Sequence, residues 1–184
     1  MDLSGKLLVA MPGMADPRFD RAVILICAHS EDGAMGLIIN KLVPDLSFAN
    51  LLEHLEIPRS PEGRDIRIHF GGPVERGRGF VLHSRDFRSE AATMRIGGGY
   101  GMTATLDVLE AMARGAGPHR ALLALGYSGW GPGQLEGEIA RNDWLTCDPE
   151  PGLVFGDDDA AKWSGALRTM GIDPLLLSAQ AGRA

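Results

Sequence analysis

Cysteine is scarce in this chain of 184 residues: Cys27 and Cys147 are the only two. With no short spacing between them they suggest neither a disulfide-stapled scaffold nor a zinc knuckle. Both fall in apolar stretches, where a free thiol behaves as a small hydrophobe. That suits a reducing cytoplasm, although the spacing leaves a bridge between them open. No apolar run approaches the roughly 20 residues that span a bilayer. The opening Met1-Asp2-Leu3-Ser4-Gly5-Lys6 lacks a basic stretch followed by an apolar one, so no secretory signal is expected. Positive charge is in deficit, the formal net charge being −6, which gives no general attraction for nucleic acid or an anionic membrane. Arg59, Arg64, Arg67, Arg76, Arg78, Arg85 and Arg88 do crowd one segment, but acidic residues interleave and the segment reads as solvated surface. The five histidines, His29, His54, His69, His83 and His119, are scattered with no pair at i, i+4. His69 and His83 would meet only if their strands paired. No metal site and no cofactor is expected from them. Internal repeats and low-complexity segments are also missing.

What the chain has is glycine and aliphatic residues. Hydrophobic residues make up 45% and glycine contributes 25 positions, enough for one globular domain with a core of its own. That domain is expected over residues 1–178, with a frayed tail over 179–184 that has little to anchor it. The stretch that organises the rest runs from Ala121 to Glu136. Ala121–Leu125 reads as a strand buried on both faces. Gly126-Tyr127-Ser128-Gly129-Trp130-Gly131-Pro132-Gly133 reads as a glycine-rich turn carrying two large aromatics. Pro132 suits the first position of a helix running to about Arg141.

Around it the chain alternates short strands and short helices. Lys6–Ala10 reads as a strand. Ala22–Ala28 and Ala34–Asn40, joined by a polar turn, predict an antiparallel hairpin. Ser47 caps a helix to about Leu55, with Leu46 and Leu51 spaced as a hydrophobic staple. Ile66–Phe70 alternates, placing Ile66, Ile68 and Phe70 on one side and Arg67 and His69 on the other. Gly71-Gly72-Pro73 breaks it, and a further strand is expected over Phe80–Ser84. Met94–Ile96 predicts a strand, Gly97–Gly101 a loop. Thr103 or Thr105 then caps a helix to about Arg114 with Leu106, Leu109, Met112 and Ala113 buried. Trp144–Cys147 reads as a strand and Leu153–Phe155 as a brief extended piece. Asp157 or Asp158 caps a last helix carrying Trp163, Leu167 and Met170 on one face. Local hairpins mixed with crossovers predict an α+β domain.

Four motifs, taken in order, resemble those of the bacterial YqgE/AlgH family: Met11-Pro12-Gly13-Met14, Gly36 to Lys41, Gly71 to Val74, and the long Gly126 to Glu136 with Asn142-Asp143-Trp144-Leu145 after it. The resemblance covers roughly Leu3 to Asp173. It implies a mixed, strongly curved, barrel-like sheet with helices outside, and a cytoplasmic protein. One branch of the family is labelled a transcriptional regulator of alginate synthesis. The acidic balance and the lack of a helix-turn-helix pattern make direct DNA binding a poor fit, so such regulation would be indirect.

Chemistry is thinly marked. Ser128 follows a buried strand and precedes a helix, the setting of a nucleophile elbow, but Trp130 stands where G-x-S-x-G needs its second glycine. A hydrolase using Ser128 is therefore an alternative and not the leading reading. The helix start after Pro132 could face an anion, with Tyr127 and Trp130 as walls. The leading expectation is a non-enzymatic binding or regulatory protein. Its surface for a protein or small-molecule partner would combine Asn40, Gly71, Gly72 and Pro73 with Tyr127, Ser128, Gly129, Trp130, Gly131 and Gly133.

Overall fold

A computed structural model describes residues 1–89 and 92–177. Among the described residues nine strands join in one mixed sheet: β1 (Leu7–Ala10), β2 (Val23–Ser30), β3 (Gly33–Ile38), β4 (Ile68–Phe70), β5 (Val74–Ser84), β6 (Thr93–Ile96), β7 (Tyr100–Thr103), β8 (Ala121–Trp130) and β9 (Trp144–Cys147). The helices are α1 (Phe48–His54), α2 (Leu106–Ala113), α3 (Gln134–Ala140), α4 (Pro151–Val154) and α5 (Asp159–Thr169). The strand order is β6-β7-β5-β8-β3-β2-β1-β9, with β4 also paired to β8. Among the described residues only the β4–β8 pairing is parallel. The predicted hairpin is present as β2–β3, in register at Ile24↔Ile38 and Leu25↔Leu37.

The sheet curls into a half-barrel, and its central strand β2 is apolar on both faces, as its run predicts. Val23, Leu25 and Cys27 face an inner core shared with Leu82, Met102, Leu122 and, from α5, Trp163 and Leu167. Ile24 and Ile26 face the opposite way, toward Leu135 of α3, Trp130 and Trp144. Further along that outer side, α1 and α2 cover Ile68, Val81 and Leu123 with Phe48, Leu52, Val108 and Met112. Burying both faces of two central strands is the main source of stability, at about 25 cal/mol per Å² of apolar surface. The Ser47 cap holds: its side chain accepts from Asn50 N. Asp158 caps α5 by accepting from Ala161 N.

Several expectations are corrected. The glycine-rich turn is a strand. β8 continues through Tyr127, Ser128 and Gly129 to Trp130, and the true turn is only Gly131–Gly133. Glycine at this point serves backbone packing, not chain reversal. Gly71 wedges between two strands: its N–H donates to Leu125 O and its carbonyl accepts from Ile38 N. Pro132 is not the first residue of α3; Gly133, at φ +71°, is its N-cap. The strand expected from Phe80 begins at Val74, because a bulge between Val74 and Gly79 lets the earlier residues continue along β8. The loop expected over Gly97–Gly101 closes at Gly99, and Tyr100–Thr103 is β7. Gly101 is a glycine of close approach, since a Cβ there would lie 2.7 Å from the His83 ring. Leu153–Phe155 is not extended. Pro151 at the first helical position starts α4, a signal overlooked among the neighbouring loop residues. Leu106 is 49% exposed at the first turn of α2, and Val108 and Ala111 take the buried places.

Cys27 and Cys147 are free, and burial pushes the Cys27 thiol up to about 12. His69 and His83 are not neighbours: they pair with β8 from opposite edges, against Ala124 and Ala121. The tail over 179–184 lies outside the described residues. Among the described residues no helix is long and apolar enough to cross a membrane.

Candidate functional site

Most of the glycine–aromatic residues expected to form a surface are committed to structure. Asn40 accepts from Val23 N at 2.9 Å and donates to Arg21 O at 2.8 Å. Gly71 and Gly72 are buried against the β8 backbone; a Cβ on Gly72 would fall 2.1 Å from the Tyr127 carbonyl carbon. Pro73 beside them is half-buried. Ser128 is fully buried and donates to Gly71 O at 3.2 Å. A carbonyl acceptor deep in a sheet is the partner of a structural hydroxyl, whereas a nucleophile needs a base and access. Trp130 is also internal, packed edge-on to Trp144 at 6.2 Å. Both indole N–H groups donate to one Glu138 oxygen, at 2.8 and 2.9 Å, so α3 is clipped to β8 and β9. Glu136 and Glu138 on α3, the former 2.6 Å from His29, set negative charge against the anion expected at this helix start. Of the motif, Gly129, Gly131 and Gly133 reach solvent and Tyr127 lies half-buried beside them.

The other end of β8 opens onto a cleft of about 710 Å³. Its walls come from the segment before β4, from the entry to β8, and from α4 with the turn into α5. Arg64, Arg67, His69, Arg120, Phe155 and Lys162 are among its lining residues. The floor is a buried ionic cluster. Asp159, 8% exposed, lies 3.1 Å from Arg67 Nη1, 3.0 Å from His69 Nε2 and 2.8 Å from Lys162 Nζ. Lys162, 2% exposed, also donates to Ile39 O at 2.9 Å. One carboxylate thus serves an arginine, a lysine and a histidine, which leaves positive charge in surplus at the floor. Burial alone would raise the Asp159 carboxyl; hydrogen bonds from His69 and Lys162, with their charges, bring it below the ordinary value. Burial lowers the Lys162 ammonium against the opposing pull of Asp159. The opposed shifts reflect one contest of desolvation and pairing. The pair is read as charged because the ammonium has acceptors on two sides.

A second lobe of about 520 Å³ continues from the first, sharing His119, Arg120, Pro151 and Phe155, and adds Ser84, Arg85, Asp86, Gly99 and Tyr100. The Tyr100 hydroxyl is buried without a hydrogen-bond partner. Burial pushes the phenol up to about 12, so it stays a donor at neutral pH. A buried polar group left without a partner costs about 1–3 kcal/mol, which makes this hydroxyl an exception to account for. In the second lobe the Ser84 hydroxyl is bonded to Asp86, a carboxylate it shares with the His119 N–H. Among the described residues no group of three His, Cys, Asp or Glu could hold a metal ion.

Sequence reasoning missed Asp159, Lys162, Arg120 and Tyr100. A signal for the first two existed: Asp159, Lys162, Trp163, Ala166 and Leu167 form the buried stripe of α5. Two opposite charges at i and i+3 inside an apolar stripe mark a buried pair. Tyr100 and Arg120 sit on different strands or loops and carry no local mark.

A family model described as AlgH-like matches residues 7–175. A UPF0301 protein of Cereibacter sphaeroides is 70% identical over 184 residues, the whole of both chains. Another from Ruegeria pomeroyi is 59% identical over 185 residues, again covering both chains fully. Among solved structures, the AlgH protein of Pseudomonas aeruginosa superposes with a TM-score of 0.78 at 41% identity, over 98% of this chain and 95% of that one. The Corynebacterium diphtheriae protein DIP2367 shares the fold, with a TM-score of 0.71 at 24% identity over 94% and 88% of the two chains.

Proposed function

Since the chain belongs to the AlgH-like (UPF0301) family, and since the cleft at the head of β8 gathers several cationic side chains, we propose that it is a non-enzymatic protein that binds a small molecule, with a regulatory role. The observation that carries this is the two-lobed cleft at the head of β8, with cationic side chains held along its walls. Pockets of several hundred Å³ with a few convergent polar groups are the usual shape of small-molecule sites. The glycine–aromatic motif serves the site from behind: Gly71, Gly72 and Gly126 lock β4 to β8, and the two strands carry the cleft walls.

Gly152 gives a clean test. It lines the cleft, and a Cβ there meets nothing within 4 Å. Gly152→Trp should therefore fill the cleft and leave the fold intact. Native mass spectra of protein prepared gently at low salt, with a thermal-shift survey of metabolites, should show a ligand on the natural chain that Gly152→Trp loses. A ligand retained by that variant, or no ligand in either measurement, would sink the reading.

A second reading keeps the surface expected from the sequence. Tyr127 and Met35 sit half-buried beside exposed Gly129 and Val74, in a depression of about 540 Å³. Methionine and tyrosine together suit an apolar segment of a partner protein. Regulation would then run through that partner. Gly129 is exposed, and a Cβ there meets only the Tyr127 ring at 3.4 Å. Gly129→Arg should abolish partner capture at unchanged melting temperature; capture that survives assigns the partner to another face.

A further inference from the structure

We propose that the second lobe recognises the phosphate group of a phosphorylated small molecule, using the Arg120 and Arg85 guanidiniums and the Tyr100 hydroxyl. This rests on the cleft being a ligand site, and adds which end of the ligand goes where. Uncommitted donors are the first reason. Arg67 is held by Asp159 and the Gly156 carbonyl, and Lys162 by Asp159 and the Ile39 carbonyl. Arg64 donates to the carbonyls of Pro118 and His119. These groups supply field and little hydrogen bonding. Arg85 and Arg120, by contrast, are exposed, and among the described residues their guanidiniums have no ion-pair partner. Both line the lobe that holds the partnerless phenol. Two planar forks and an O–H, with no acceptor assigned to any of them, match an oxyanion with several oxygens.

The carboxylates set the orientation. Asp65 and Asp157 line the first lobe, where they offset the cationic surplus of its floor. In the second lobe the carboxylate is Asp86, whose oxygens already accept from the Ser84 hydroxyl and the His119 N–H. Glu150, near Tyr100, is the remaining opposing charge. The phosphate end therefore belongs beside Arg120. The uncharged body extends past Phe155 and Pro151, the residues shared by both lobes, into the larger one. Phosphate is favoured over a carboxylate because two free guanidiniums balance a dianion.

The test is a series of amide ¹H–¹⁵N spectra of the full chain titrated with inorganic phosphate, pyrophosphate and acetate. Pyrophosphate should shift the amides of Arg85, Asp86, Tyr100 and Arg120 saturably, with acetate at least tenfold weaker. Arg120→Gln should weaken pyrophosphate at least tenfold. Tyr100→Phe should weaken it about three- to tenfold while the melting temperature holds or rises, since the lost hydroxyl had no partner. A purely structural tyrosine would give the opposite pattern. Equal affinity in both variants, or acetate binding as tightly as pyrophosphate, overturns the phosphate assignment. A neutral molecule that binds in the cleft, is blocked by Gly152→Trp and is indifferent to Arg120→Gln overturns the assignment alone. If no molecule of any charge moves these amides, the cleft is no ligand site and both readings fall.

Discussion

Gly126→Ala is expected to destabilise the fold by about 2–5 kcal/mol, the sum of a backbone and a packing penalty. Gly126 sits at φ +72° in the middle of β8. For an L side chain that left-handed conformation costs roughly 1–2 kcal/mol. The methyl would also lie 2.4 Å from Gly72 O and 2.9 Å from Val74 O. Those are backbone atoms that cannot rotate aside, and overpacking of this kind adds about 1–3 kcal/mol. For a chain of this size each kcal/mol shifts the melting temperature by about 2–4 °C, so a drop of about 10 °C is expected by circular dichroism. Gly133→Ala separates the two contributions. Gly133 has nearly the same φ, +71°, but its Cβ would meet nothing within 4 Å. It should lose about 1–2 kcal/mol from conformation alone. Equal losses at the two positions would mean that the approach of the Gly72 segment to β8 is not what requires glycine.

That contrast also explains what could be read from the sequence. Elements set by local chemistry were legible: the Ser47 cap with its leucine stripe, the β2–β3 hairpin, the Asp158 cap of α5. The family resemblance added the curl of the sheet. What misled was glycine, which signals a turn when read locally. In β8 and β7 it marks instead where backbone or a ring comes close from a distant segment: Gly126 against Gly72, Gly101 against His83. The same distance hid the cleft. Arg67, Tyr100, Arg120 and Lys162 are brought to one place by four different parts of the chain, and no window of sequence contains their relation. The motif that stood out in the sequence is largely the frame, and the residues facing the cleft look ordinary one at a time.

Asp159→Asn should be the more damaging change, at about 3–5 kcal/mol, because it leaves a charge buried without its counter-charge. Lys162 is 2% exposed and would be left without its counter-charge; the half-buried Arg67 loses the same partner. Asp159→Asn/Lys162→Met should recover most of the loss, since an apolar side chain of similar length replaces the stranded ammonium. A residue of about 1 kcal/mol should persist, because methionine leaves the Ile39 carbonyl without the Lys162 donor. The pH dependence follows from the direction of the Asp159 shift. Its carboxyl is lowered in the folded chain, below the unfolded value of about 3.9. The stability it contributes is therefore complete above about pH 5 and is lost as the pH falls through the folded value. Urea unfolding of the natural chain and of Asp159→Asn should show a gap that narrows below about pH 4. Asp86 and Asp107 are lowered as well, but they are common to both proteins and cancel in the difference. A gap that stays constant into strong acid, or a double variant no better than the single one, would show that the Asp159–Lys162 pair does not hold the floor of the cleft.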